Sequence, residues 1–291
     1  MMRRLLDSEQ FSPIAPVLND AANSIRSFEG TVMLLAAPSL VGVLSVVPIE
    51  AALIESGIKY RRRFRIESPN TGSWIHVLGP GNEEGPKFSS SPPQLSLSGM
   101  VVEGLRGSSG DIRRGPLTTV AQAHALAQLI SPNGVRLRKL RPWLISGNWM
   151  HSALDTTYDP VFTTLRDTLD NEGTATIVPL PEVISPEIMT TPWIEEIALE
   201  AVSSRWEKLD LEGRARALSH LMRPILSQSK PSTARIEELG WHRVLGIGWE
   251  VDLASQILQA TRLWKTMPAG EAAQILADSL LQTGQVPSLE S

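Results

Sequence analysis

Between Thr31 and Ile66 the chain reads TVMLLAAPSLVGVLSVVPIEAALIESGIKYRRRFRI, and no other run limits the possible folds as much. Val32 to Ala36 is a short apolar stretch of the kind buried in a parallel sheet. Gly42 permits a tight turn, and Leu44 to Ile54 has the length of a helix, with Glu50 and Glu55 left polar. Gly57 stops that helix. Beyond it Tyr60, Arg62, Phe64 and Ile66 alternate with Arg61, Arg63 and Arg65, which puts three arginines on one face of a second strand. A helix beginning directly after Gly42 would meet Pro48 in its interior, so it must kink or start later.

The first half continues in the same style. Gly72 to Gly79 reads as a third strand, Pro80 to Gln94 as a loop rich in glycine, serine and proline, and Leu95 to Leu105 as another strand. Gly107 to Gly115 is a second glycine-rich link, followed by a helix from Pro116 to Ile130 with proline at its start. Strands alternating with helices imply an α/β domain with a mostly parallel sheet flanked by helices. From Pro181 the pattern turns helical. Thr191 can cap a helix with Pro192 at its first position, Glu195 and Glu196 near its positive end, and Ile194, Ile197, Ala198, Ala201 and Val202 on its apolar face. Asp210 to Leu226, Glu250 to Lys265 and Pro268 to Thr283 follow, the last ending at Gly284. The expected organisation is an α/β domain over 1–178, a mainly helical domain over 179–284 and a frayed tail over 285–291.

Composition removes several classes of function. The chain has no cysteine, which excludes disulfides, thiolate metal sites and cysteine nucleophiles. A net charge of −4 argues against bulk nucleic acid as the main partner, although a local basic patch can coexist with an acidic whole. No run reaches the roughly 18 apolar residues of a membrane span, and Met1 to Ser8 carries basic residues without a signal-type apolar stretch behind them. A soluble, cytoplasmic protein without a membrane partner is expected.

Candidate chemistry is sparse. His76, His124, His151, His220 and His242 are scattered without ligand-type pairing, and His151 with Asp155 and Asp159 is the best remaining metal cluster, although Thr156, Thr157 and Pro160 disfavour a long helix there. Ser39 and Ser45 have no His–Asp pair placed to activate them. The loop Pro80 to Gly85 lacks the lysine of a phosphate-binding loop, and its glutamates would repel an anion. Two basic clusters remain as binding candidates: Arg61, Arg63 and Arg65 on one strand face, and Arg136, Arg138, Lys139 and Arg141. Trp74, Trp143 and Trp149 lie in the same half and offer stacking surfaces or core.

The string Ser39, Leu40, Val41, Gly42, Val43, Leu44, Ser45 resembles the first motif of the DHH phosphoesterase family, to which the RecJ nucleases belong, in which a strand runs into Asp-x-Asp-Gly-x-x-Ser. Glycine and serine are kept, while Ser39 and Val41 stand where the family has its two aspartates, the ligands of Mn²⁺ or Mg²⁺. The resemblance covers roughly Thr31 to Leu169. It implies that Leu78 to Gly81 and Ser96 to Val102 correspond to the next two metal-binding strand ends, and neither stretch holds aspartate or histidine. Trp143 to Asp159 looks like the stretch that completes the family's site. The glycine pair of the family's strand-binding second domain is absent, since the chain contains no Gly-Gly. The expectation is a catalytically inactive, cofactor-free protein similar to the archaeal RecJ-like, Cdc-forty-five-type subunits of the replicative helicase. Such a resemblance implies association with the GINS complex and the MCM ring on the chromosome, with single-stranded DNA as a further ligand. The competing expectations are an active metal-dependent phosphoesterase or single-strand nuclease with ligands moved to Glu103, Asp111, Asp155 or Asp159, and an unrelated nucleotide-binding enzyme of doubly wound type.

Overall fold

The computed structural model describes residues 2–287 apart from 68, 82, 109 and 157. Helix α1 (Ala15–Ser27) leads into the βαβ unit of β1 (Val32–Ala36), α2 (Leu40–Glu55) and β2 (Tyr60–Phe64), and then come β3 (Trp74–Val77), β4 (Lys87–Ser90) and β5 (Pro93–Leu97). These five strands form one sheet in the order β2-β1-β3-β5-β4, parallel except for β4. The mostly parallel sheet flanked by helices read from the sequence is therefore the observed one. Strands β2 and β3 lie on opposite sides of β1, so the chain reverses its direction across the sheet at β1 and β3.

Local chemistry moves several boundaries. Helix α2 begins at Leu40, earlier than expected, because the Ser39 hydroxyl accepts the Gly42 N–H at 3.1 Å and caps it. It then runs through Pro48, whose missing N–H leaves one helical bond unmade. Every residue from Gly42 to Leu53 is buried, so the helix shows no polar face. The expected loop Pro80 to Gln94 contains β4 and the start of β5, and the expected strand Leu95 to Leu105 is two strands. Its second part, β6 (Met100–Arg106), leaves the sheet and forms an antiparallel hairpin with β7 (Ile112–Leu117), which takes in the predicted glycine-rich link and Pro116. Helix α3 (Thr119–Ile130) therefore starts after Pro116, capped by the Thr118 hydroxyl.

Short helices α4 (Val135–Leu140), α5 (Ser146–Met150) and α6 (Ala153–Thr156) precede α7 (Pro160–Asn171) and β8 (Ala175–Val178). The helical half consists of α8 (Glu196–Ser203), α9 (Leu211–Met222), α10 (Thr233–Gly240), α11 (Leu253–Thr266) and α12 (Ala269–Thr283), with β9 (Arg243–Gly246) pairing antiparallel with β8. The predicted cap at Thr191 does not open α8: a 3-10 turn ends at Thr191 and the helix begins five residues later, leaving Ile197 79% exposed. Asp210 and Asp252 cap α9 and α11, and α12 closes at Gly284 in the left-handed conformation, φ 81°. The tail is held as far as Val286, whose N–H is bonded to Gln256, and residues 288–291 lie outside the described ones.

Two apolar cores result. The larger joins the helix-facing side of the sheet to α1, α2, α3 and α7, and α11 and α12 return to it through residues such as Leu263 and Leu276. The smaller lies within residues 180–236, around Trp206 and Leu218. Buried charge ties the elements together. Arg141, expected on a basic surface, is fully buried: its Nε donates to Glu172 Oε1 at 2.7 Å and its Nη2 to Glu172 Oε2 and the Arg3 carbonyl. Arg141→Met should cost about 3–5 kcal/mol in urea unfolding by leaving a buried carboxylate unpaired, and a second change, Glu172→Leu, should recover much of that loss.

Candidate functional site

The parallel strands β1, β3 and β5 end at the same side of the sheet, where the chain also reverses its direction across it. Crevices at such a point are the usual ligand sites of open α/β sheets, because loops and helix N-termini from both halves meet there. A cavity of about 290 Å³ occupies this place, lined among others by Val41, Leu78, Met100, Thr118, Met150 and His151. Five stretches far apart in sequence thus converge: the first turn of α2, residues 78–81 and 83 after β3, residues 99–100 after β5, residues 116–119 between β7 and α3, and residues 147–152 around α5.

The chemistry of the walls is largely self-satisfied. Ser39, where a metal-holding turn would have its first carboxylate, uses its hydroxyl to cap α2. Ser45, fully buried, donates to the Val41 carbonyl at 2.9 Å, and its oxygen lies in hydrogen-bond contact with the Thr119 hydroxyl at 3.2 Å, which joins the first turns of α2 and α3. Gln122 donates to the carbonyls of Ser98 and Leu117, fixing the ends of β5 and β7 against α3. Gly42 is required for close approach and not for a turn, since a Cβ there would overlap the Ala37 carbonyl oxygen. Gly42→Ala is expected to destabilise the protein by about 1–3 kcal/mol through forced displacement of that backbone, read as a lower thermal midpoint.

The predicted site residues divide sharply. Asp159 caps α7 through the N–H groups of Val161 and Phe162, and its other oxygen accepts from Asn148 at 3.1 Å; burial pushes its carboxyl above the usual range. Asp155 pairs instead with Arg235 at 2.8 Å, and Glu103 with Arg106 at 3.0 Å, while Asp111 lies at the far end of the β6–β7 hairpin. His151 Nδ1 accepts from Ala153 N–H. The candidate His151–Asp155–Asp159 cluster is thus not assembled, and among the described residues no three histidine, aspartate or glutamate side chains lie close enough to hold a metal ion together. Glu83 is the one carboxylate among the described residues lining the cavity. In the loop Pro80 to Gly85, Glu84 pairs with Lys87, and residue 82 lies outside the described ones.

Of the two basic clusters, Arg61 and Arg63 stand exposed on one face of β2, as their alternation predicts, and Arg65 is exposed one residue past the end of the strand, which stops at Phe64 short of the expected Ile66. Arg136, Arg138 and Lys139 are exposed on α4, beside Glu55, whose carboxylate accepts the Arg136 N–H at 2.7 Å. Arg141 does not belong with them. Among the tryptophans, Trp143 is core and donates to the Gly284 carbonyl, Trp149 lies under the Arg235 guanidinium, and Trp74 meets His76 edge to face. Thr118, Asn148 and Met150 carry no signal of the cavity in the sequence, and Pro116 two residues before Thr118 masks its cap by offering an earlier helix start.

No protein-family model matches the chain, and no curated protein is similar to it.

His124 lies on α3 among Leu44, Pro48, Leu140 and Trp143, fully buried, with neither ring nitrogen hydrogen-bonded. Burial, reinforced by the Arg141 guanidinium, pushes its pKa from the usual 6.5 down to about 3. The unfolded chain therefore takes up a proton near pH 6.5 that the folded chain refuses until about pH 3. This group's contribution to stability is complete above that window and is lost as the pH falls through it, by up to about 1.4 kcal/mol per unit. Urea unfolding followed across the window should show this slope in the native protein and a flatter one in His124→Leu.

Proposed function

We propose that this protein is a catalytically inactive member of the DHH type that works by holding partners: an archaeal RecJ-like subunit that associates with the GINS complex and the MCM helicase ring, close to displaced single-stranded DNA. The observation that carries this reading is the meeting, at one cavity, of the four stretches that the resemblance singles out, with serine, valine, leucine and glycine where a two-metal phosphoesterase needs carboxylates. Without such ligands a hard divalent cation has no reason to bind there, and nothing lowers the pKa of a water or neutralises a phosphodiester in its transition state. What a protein of this kind then retains is a rigid frame with its outer surfaces. The exposed arginines of β2 and α4 are the surfaces this reading assigns to partners. It places the protein in the cytoplasm, on the chromosome; among the described residues no helix is long and apolar enough to cross a membrane.

A second reading, binding of a nucleotide in the cavity at the strand ends, is favoured by the position of that cavity at the reversal point of the sheet. The two separate in one experiment. Tagged protein purified from its native cells at moderate salt should retain GINS and MCM subunits in stoichiometric amounts, and a thermal shift with nucleotides should be absent. Protein that comes through alone, is stabilised by a nucleotide, or cleaves single-stranded DNA in a Mn²⁺-dependent way overturns the scaffold reading.

A further inference from the structure

Strand β2 closes one side of the five-stranded sheet, and among the described residues no strand lies beyond it. In its ladder with β1, Val32 N–H donates to the Lys59 carbonyl and Val32 stands opposite Tyr60. Parallel pairing then directs the main-chain groups of Arg61 and Arg63 toward β1 and those of Tyr60, Arg62 and Phe64 toward the open edge. The edge is rigid. Arg62, on the helix-facing side, is held by Glu50 at 2.8 Å, Gln274 at 2.9 Å and Asp278 at 2.5 Å, and it lies over the Phe64 ring.

The other face of the same strand is chemically different. Arg61, Arg63 and Arg65 are exposed, and none of them takes part in an ion pair among the described residues. Charges on an edge strand commonly serve only to prevent edge-to-edge association, for which one or two suffice. Three arginines of one sign in strict alternation, in a chain of net charge −4, go beyond that need. Their spacing of about 7 Å is that of alternate side chains on a neighbouring strand, and each planar guanidinium fork matches a carboxylate.

Resting on the reading of the protein as a partner-holding subunit, we infer that the β2 edge is a docking site for an extended acidic peptide segment of a partner, which adds a strand beside β2 and sets aspartate or glutamate at every second position against Arg61, Arg63 and Arg65. Main-chain groups of Tyr60, Arg62 and Phe64 supply the backbone bonds, and the arginines supply direction and specificity. A nucleic acid strand could meet the arginines but has no use for the N–H and C=O groups of the edge, so the peptide is the better match.

The test uses fluorescence anisotropy with a short labelled peptide alternating glutamate with valine, the same peptide N-methylated at alternate residues on the side that faces β2, and oligothymidylate. The native protein should bind the first peptide, fail to bind the N-methylated one, and bind the unmodified peptide more tightly than oligothymidylate. Arg61→Glu/Arg63→Glu/Arg65→Glu should bind the peptide at least about tenfold more weakly, with thermal unfolding little changed, since the one hydrogen bond these side chains make among the described residues runs from Arg63 Nη1 to the carbonyl of its neighbour Arg62, at the exposed edge. Equal binding of the N-methylated peptide, an unchanged affinity in the triple variant, tighter binding of oligothymidylate, or no binding of the peptide at all overturns the inference. Carrying the triple variant through purification from native cells keeps the two claims apart: GINS and MCM retained on a variant that has lost the peptide leave the partnership standing and remove the edge from it, whereas peptide binding by a native protein that retains neither removes the partnership and leaves the edge.

Discussion

Arg62 joins three elements, β2, α2 and α12, that also share the larger apolar core. Its guanidinium bridges Glu50, in the middle of the buried helix α2, and Asp278, on the helix that ends the fold. The Glu50 carboxylate also accepts from Tyr60, two residues before Arg62 on the same strand. Burial pushes the Glu50 carboxyl above its usual range even with Arg62 beside it, and pushes Tyr60 up to about 12. Such a group is costly to bury and more costly to leave unpaired, so arrangements of α2, β2 and α12 that separate Glu50 from Arg62 are disfavoured. The edge of the sheet, and with it the row of exposed arginines on its other face, inherits its rigidity from this cluster. Parity alone decides which arginine is a structural cross-link and which faces water.

The cavity at the strand ends is equally determined by what surrounds it. A frame built to hold cations would present carboxylates whose charge is left unbalanced by the protein. Here the polar groups at that place already satisfy one another: Ser39 with Gly42, Ser45 with Thr119, Thr118 with Asn148, and Asn148 with Asp159. Asp159, the one fully buried carboxylate nearby, accepts two backbone N–H groups at a helix start in addition to the Asn148 amide. Those bonds fix it as a cap, and a metal ion would have to break them to recruit it. The apolar side chains of Val41, Leu78, Met100 and Met150 complete a lining better suited to excluding water than to ordering it around a cation.

How much of this was legible in the sequence depended on whether the deciding interaction was local. The alternation in YRRRF revealed both faces of β2, because a strand's side chains follow a period of two whatever lies elsewhere. Helices α11 and α12 announced themselves through the run before Lys265 and through Gly284, which terminates the last helix in a conformation glycine adopts without strain. Strands β4 and β5 were hidden by the serines and prolines of FSSSPPQLSL, a composition that elsewhere marks a loop. The start of α2 is not legible because Gly42 suggests a turn, whereas the glycine serves a close approach to the Ala37 carbonyl that only the folded chain creates. Arg141 was least readable of all. Its neighbours Arg136, Arg138 and Lys139 are solvated, and nothing in the local pattern points to Glu172, which decides its burial from across the fold.

The same long-range pairing explains why the arginine content of this chain carries so little information about nucleic acid. Arg62, Arg141, Arg166, Arg235 and Arg243 each meet a carboxylate in a side chain that is at most slightly exposed. Three of these pairs cross from the α/β half to the helical half: Arg62 to Asp278, Arg166 to Glu238, and Arg235 to Asp155. The guanidinium suits this use, because its fixed fork can satisfy two partners from different elements and its weak hydration lowers the cost of burial. Arginine is thus first a means of attaching the second half of the chain to the first. The residues left over from that task are few, and their position on an open strand edge, where main-chain groups and charge are offered together, makes them informative about a partner where the total count is not.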